Sequence, residues 1–147
     1  MRRFEKCATA TENTRLPQRS TEQAAGYDFY SPVSITIGPK QWGMFRTHIK
    51  AKMAADDVLL IFPRSSVGCK KHMMLSNTVG VIDSDYYNNP DNEGNIVIAI
   101  YNYGDRAQHI EVGDKVAQGI FLKFGITSDD ATAAQEERRG GIGITGE

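Results

Sequence analysis

Apolar positions along this 147-residue chain come in short runs separated by turn residues. Most repeat at period two, the spacing of a strand with one covered face. "VSITIGP" (33–39) alternates Val33, Ile35 and Ile37 and stops at Gly38 and Pro39, which predicts a strand with a defined end. "GMFRTHIKAKM" (43–53) puts Phe45, Thr47 and Ile49 on one side and predicts a second strand. "DVLLIFP" (57–63) is continuously apolar up to Pro63, as in a strand buried on both faces. "NIVIAIYNYGD" (95–105) sets Ile96, Ile98 and Ile100 against Val97, Ala99 and Tyr101, so both faces call for cover. "KVAQGIFLKFG" (115–125) predicts a further strand. The one helical signal is "SSVGCKKHMML" (65–75), short, with Ser65 or Ser66 available as its cap. About ten short strands joined by loops, with no fixed-period repeat, predict an all-β barrel or sandwich.

The end of the chain differs. From "TSDDATAAQEERRGGIGITGE" (127–147) a polar, acidic stretch leads to Gly140, Gly141, Gly143 and Gly146 interspersed with Ile142, Ile144 and Thr145. Such a segment cannot build its own core, and glycine leaves it mobile. The pattern therefore divides the chain into a β-domain over 1–126 and an arm over 127–147. The arm is either a disordered terminus or a cover that orders over an anionic ligand through Arg138 or Arg139.

Charge narrows the partners. Seventeen basic and 18 acidic residues give a formal net charge of −1, which argues against non-specific nucleic-acid binding. Cys7 and Cys69 are far apart and belong to no CxxC pair, so neither a zinc ribbon nor a disulfide framework is expected. No apolar run has the length of a membrane span, and the basic start "MRRFEKCATATENTRLP" lacks a signal-peptide core. A soluble cytoplasmic protein is the expectation, with no membrane partner.

Several stretches carry candidate chemistry. "GVIDSDYYNNP" (80–90) runs Val81 and Ile82 straight into Asp83, then Asp85, Tyr86 and Tyr87. Either a strand surfaces there, or Asp83 stands at the mouth of a pocket. "PRSSVGCKK" (63–71) gathers Arg64, two hydroxyls, Gly68, Lys70 and Lys71, a set suited to phosphate although it is not a Walker loop. "GDKVAQ" (113–118) reads as a turn and strand in which Gln118 points inward if Val116 does. The similar "GDRAQ" (104–108) reads as a loop. In "AAGYDFYSP" (24–32), Asp28 sits between Tyr27 and Phe29; it either pairs with an arginine or stands in the outer shell of a metal. His48, His72 and His109 are scattered without metal-site spacing. The zinc-deaminase pattern and the GxSxG elbow are both absent.

Taken in order, "AAGYDFYSP", "PRSSVGCKK", "NTVGVIDSDYY", "GDKVAQ" and "RRGGIGITG" resemble the five motifs of the trimeric dUTPase family, across residues 24–146. The short fifth motif looks like versions from Gram-positive bacteria and their phages. The resemblance implies a distorted jelly-roll β-barrel with a mobile C-terminal arm, assembled as a homotrimer whose active sites are shared between chains. It implies hydrolysis of dUTP to dUMP and pyrophosphate with Mg²⁺, which limits uracil in DNA and supplies dUMP. On matching positions the resemblance implies the following roles: Asp83 activates the attacking water. Asn77 and the backbone of Gly80, Val81 and Ile82 read the uracil, and Tyr86 lies against the deoxyribose. Arg64, Ser65, Ser66 and Gln118 hold phosphates, and Asp28 acts on the metal through water. Arg139 clamps the γ-phosphate as the arm closes, with Ile142 over the base.

The chain departs from the family pattern at three places. Ile142 stands where the family carries a stacking aromatic, and Ile144 where it carries a serine, so the arm is expected to contribute less to binding. Tyr87 and "NNPDNEGN" extend the loop after the third motif. Two rival functions fit the same resemblance. One is a dUTPase-like regulatory binder, with a protein partner if phage-encoded. The other is a dCTP deaminase of the same superfold, which lacks a GVIDxDY stretch.

Overall fold

The run "DVLLIFP" folds as a central strand, and the rest of the barrel is arranged around it. The computed structural model describes residues 1–130; Arg138, Arg139, Ile142 and Ile144 lie outside the described residues. Twelve strands follow in chain order: β1 (Arg3–Lys6), β2 (Gln18–Arg19), β3 (Tyr27–Tyr30), β4 (Ile35–Ile37), β5 (Trp42–Arg46), β6 (Ile49–Lys52), β7 (Asp57–Pro63), β8 (Met73–Leu75), β9 (Gly80–Asp83), β10 (Val97–Asn102), β11 (Gln108–Ile110) and β12 (Lys115–Lys123). The only helical pieces among the described residues are a π turn over Ser66–Lys70 and a 3-10 turn over Ser84–Tyr86. The fold is all-β, a jelly-roll type of barrel.

The largest sheet runs β2-β3-β12-β7-β9, and a second runs β5-β10-β8. Two antiparallel pairs, β1-β6 and β11-β4, complete the barrel. Phe29, Leu59, Ile61 and Ala117 of the large sheet share one core with Phe45, Ile98, Ile100, Met73 and Leu75 of the second. Ile96, Ile98 and Ile100 are all but fully buried, whereas Val97, Ala99 and Tyr101 on the other face are half-buried. That second face of β10 is not lost to the core; it floors a cleft.

Three expectations are corrected. The single strand over 43–53 breaks into β5 and β6, because His48 adopts a φ of 61°. Phe45, Thr47 and Ile49 still face inward, and Thr47 Oγ1 repairs the break by donating to Ile96 O at 2.7 Å and accepting from Ile49 N–H at 3.2 Å. Neither Ser65 nor Ser66 caps a conventional helix. Five residues form a π turn, Ser65 is already in the αR region, and its side chain makes no capping bond. Gln118 does not share the face of Val116. The ladder from β12 to β3 shifts between Lys115 and Ala117, so this bulge puts both Val116 and Ala117 in the core. Gln118 then pairs across from Asp28 and Phe62, on the opposite face of the sheet.

Candidate active site

Strand β9 ends at the edge of the large sheet, where it pairs with β7 alone among the described strands. It is thus an edge strand and not a buried one, and Val81 is 60% exposed. The outer edge of such a strand presents backbone N–H and C=O groups to whatever lies beside it. The turn from β8 to β9 is tight: Thr78 N–H donates to Leu75 O at 2.9 Å and Val79 N–H to Asn77 O at 2.8 Å. Asn77 is exposed near its tip. Gly80 packs closely on β7: a Cβ there would sit 3.1 Å from Ile61 Cβ, so Ile61 would have to shift.

Beside β9 lies a cleft of about 770 Å³. Asn77, Gly80, Val81, Ile82, Asp83 and Tyr86 form one side, while Trp42, Met44, Met74 and Tyr101 line much of the rest. Asp83 is the single charged residue among the described lining. The chain therefore carries one carboxylate into an otherwise apolar, aromatic-rich cleft, the arrangement of a small-molecule site with few polar anchors. Tyr86 is only 6% exposed. It lines the cleft, and its hydroxyl donates to Asn95 O at 2.9 Å.

The other candidates gather elsewhere. Asp28 of β3 is buried and lies 3.4 Å from the Arg64 guanidinium and 3.6 Å from Lys115 Nζ. Of the two readings of Asp28, its pairing with an arginine is thus seen directly. Gln118, on the strand between, holds Pro63 O through Nε2 at 3.4 Å. Arg64, Ser66, Lys71 and Lys115 line a shallower recess of about 400 Å³ with Asp114; Ser65 is exposed nearby. Lys115 was missed in the sequence, where its only signal was its place after a Gly-Asp turn. Three cations in a recess of this size suit a polyanion.

The apolar cleft and the cationic recess share no lining residue. One chain thus holds an apolar cleft carrying one carboxylate and, apart from it, a recess lined by three cations and Asp114. No group of three or more His, Cys, Asp or Glu side chains among the described residues could hold a metal ion.

Comparison with known proteins identifies the group to which the chain belongs. The dUTPase family model matches residues 12–146. This protein is a member of the dUTPase family. The deoxyuridine 5′-triphosphate nucleotidohydrolase of Lactococcus lactis is 44% identical over 131 residues, covering 89% of this chain and 87% of that relative. The crystal structure of dUTPase from Streptococcus mutans superposes with a TM-score of 0.80 at 41% identity, over 85% of this chain and 98% of the other. The dUTPase from phage phi11 of S. aureus shares the fold at 22% identity, with a TM-score of 0.74 over 94% of this chain and 99% of that one. No helix among the described residues is long and apolar enough to cross a membrane.

Proposed function

We propose that this dUTPase-family protein hydrolyses dUTP to dUMP and pyrophosphate, in sites completed by a second copy of the chain within a homotrimer. The observation that carries this reading is Asp83, the single charged residue among the described lining of an apolar cleft bordered by the edge strand β9. Uracil enters that cleft, where Asn77 and the backbone of Gly80 to Ile82 match its donor and acceptor edge. Cytosine would leave those polar groups unpaired once the base covers them. The Tyr86 ring walls off the deoxyribose. Asp83 takes a proton from the water that cleaves the α–β phosphoanhydride, and pyrophosphate leaves.

Arg64, Ser65, Ser66 and Gln118 of the neighbouring copy, together with Lys115, hold the triphosphate. These cations and hydroxyls offset the charge that builds as water attacks an anion. The residues present fit Mg²⁺ carried in on the triphosphate, because the Asp28 carboxylate stands beside the cations of the recess and Mg²⁺ keeps several waters when bound to phosphates. Such an ion would supply further charge neutralisation, and Asp28, beside Arg64 and Lys115 of the recess, is the carboxylate that would act on it through water. Arg139 and Ile142 of the arm over 127–147 complete the cover in the cytoplasmic enzyme.

Shared sites predict complementation. Asp83→Asn and Arg64→Gln should each lower turnover by about 10²–10⁴-fold, the usual contribution of a general base or a phosphate-positioning group. The Asp83→Asn protein should still bind nucleotide. When the two inactive chains are mixed, unfolded and refolded together, about a quarter of the sites regain both groups, and activity returns. If activity fails to return from a folded, mixed oligomer, the site lies within one chain and the shared arrangement is wrong. An Asp83→Asn protein that keeps its rate removes Asp83 from the chemistry.

A further inference from the structure

Asn92 lies in the extension between the 3-10 turn of Tyr86 and strand β10, a stretch no part of the proposed site uses. The extension folds back on itself. Asn88 N–H donates to Glu93 O at 3.1 Å, Glu93 N–H to Asn89 O at 2.7 Å, and Asn95 N–H to Asn92 O at 3.1 Å. It is also tied to the barrel, since Lys50 Nζ donates to Asn88 Oδ1 at 2.6 Å and to Glu93 Oε2 at 2.7 Å. Ala8 N–H adds a bond to Glu93 Oε1 at 2.9 Å.

Within this lobe the Asn92 amide is used at both ends. Its Oδ1 accepts Gly94 N–H at 3.0 Å, and its Nδ2 donates to Tyr86 Oη at 2.8 Å. The Gly94 contact fixes the orientation of the amide, because a backbone N–H can only donate and so faces the oxygen. Nδ2 then faces the tyrosine, and Tyr86 Oη, as acceptor on that side, sends its own proton to Asn95 O at 2.9 Å. Two fixed groups thus hold the hydroxyl end of Tyr86, a residue that lines the cleft.

We propose that Asn92 is a positioning residue for sugar selection: it holds the Tyr86 ring so that a ribose 2′-hydroxyl is rejected. The proposal rests on the reading of Tyr86 as the deoxyribose wall. A wall rejects one extra oxygen only if it does not yield, and small displacements of a positioning group change rates steeply. The loop extension that sets this chain apart from the family pattern is therefore part of its substrate specificity.

The test uses the full-length protein and compares kcat/KM for dUTP with kcat/KM for UTP. Asn92→Asp is nearly isosteric; it keeps an acceptor for Gly94 N–H and replaces the donor facing Tyr86 with an oxygen. Tyr86→Phe keeps the ring and removes the hydroxyl. Each should lower the dUTP:UTP ratio by about 3–10-fold, and the double variant should lose no more than either alone, since both break one chain of bonds. A purely structural role would move the melting temperature and leave the ratio alone, which would overturn the proposal. So would a further loss of ratio on adding Asn92→Asp to Tyr86→Phe. Tyr86→Leu separates the two levels. If it lowers the ratio where Asn92→Asp does not, the wall stands and the positioning role falls. If it leaves the ratio unchanged, the wall reading falls and takes this proposal with it.

Discussion

Asp57 is 1% exposed at the start of β7, yet it is charged: Arg2 donates to it at 2.7 Å, and Lys123 lies 3.1 Å away. Ala54 N–H also donates to its carboxylate, at 3.0 Å. The Arg2 bond, with smaller contributions from Lys123 and Ala54, holds its pKa well below the ordinary 3.8 despite burial. A group whose folded pKa is lowered binds fewer protons folded than unfolded across the gap, so stability rises with pH there. Its contribution is complete above the unfolded pKa and is lost as pH falls through the folded one. Unfolding in urea should therefore show a midpoint that drops between about pH 5 and pH 2, and Asp57→Asn should flatten that slope. An unchanged slope in the variant would mean that the Arg2–Asp57–Lys123 cluster does not couple to folding. At the same scale, burial raises the Cys7 thiol to about 11, which makes it a core residue and not a reactive one.

At the scale of elements, the extension after Tyr86 hinges on one backbone conformation. Gly94 has a φ of +82°, and a Cβ there would meet Tyr86 O at 2.4 Å and Asn88 N at 3.1 Å. Both neighbours are backbone, so the loop itself must shift to admit a side chain. Gly94→Ala should destabilise the protein by about 1–3 kcal/mol, measured by urea unfolding, and raise KM for dUTP because the same loop holds Tyr86. A fully stable variant with unaltered KM would show the loop to be independent of the site.

The elements also show what the sequence could reveal. β7, β10 and β12 were legible because their apolar content reports burial directly. The five motifs were legible because each is contiguous. The break at His48 was not, since nothing in a histidine flanked by Thr47 and Ile49 signals a φ of 61°. Nor was the side on which Gln118 lies, because the bulge at Val116 is a property of the pairing between β12 and β3, not of either strand. Asn102 was missed for a similar reason. It looked like one more residue of an apolar strand, but its buried amide donates to Ile37 O at 3.0 Å and Arg106 O at 2.7 Å and accepts from Gly104 N–H at 3.0 Å. Such a residue ties its own following loop to the end of β4, and only the tertiary structure brings those two together.

At the scale of the whole molecule, the division between an apolar cleft and a cationic recess dominates. A nucleotide has the same division, with a flat base at one end and a charged tail at the other. The two halves share no lining residue among the described residues, and the proposed assembly of copies would bring both to one substrate. A near-neutral surface charge leaves the local cations of the recess as the main attraction for the triphosphate. Under the proposed function, selectivity would have two sources, the edge of β9 for the base and Tyr86 for the sugar. The most direct measurement is Mg²⁺-dependent pyrophosphate release from dUTP, dCTP, dTTP and UTP, assayed side by side on the full-length protein. Release from dUTP alone is the predicted result. Comparable release from several nucleotides would contradict selection by the cleft, and bound dUTP without release would contradict Asp83 as the base that activates water.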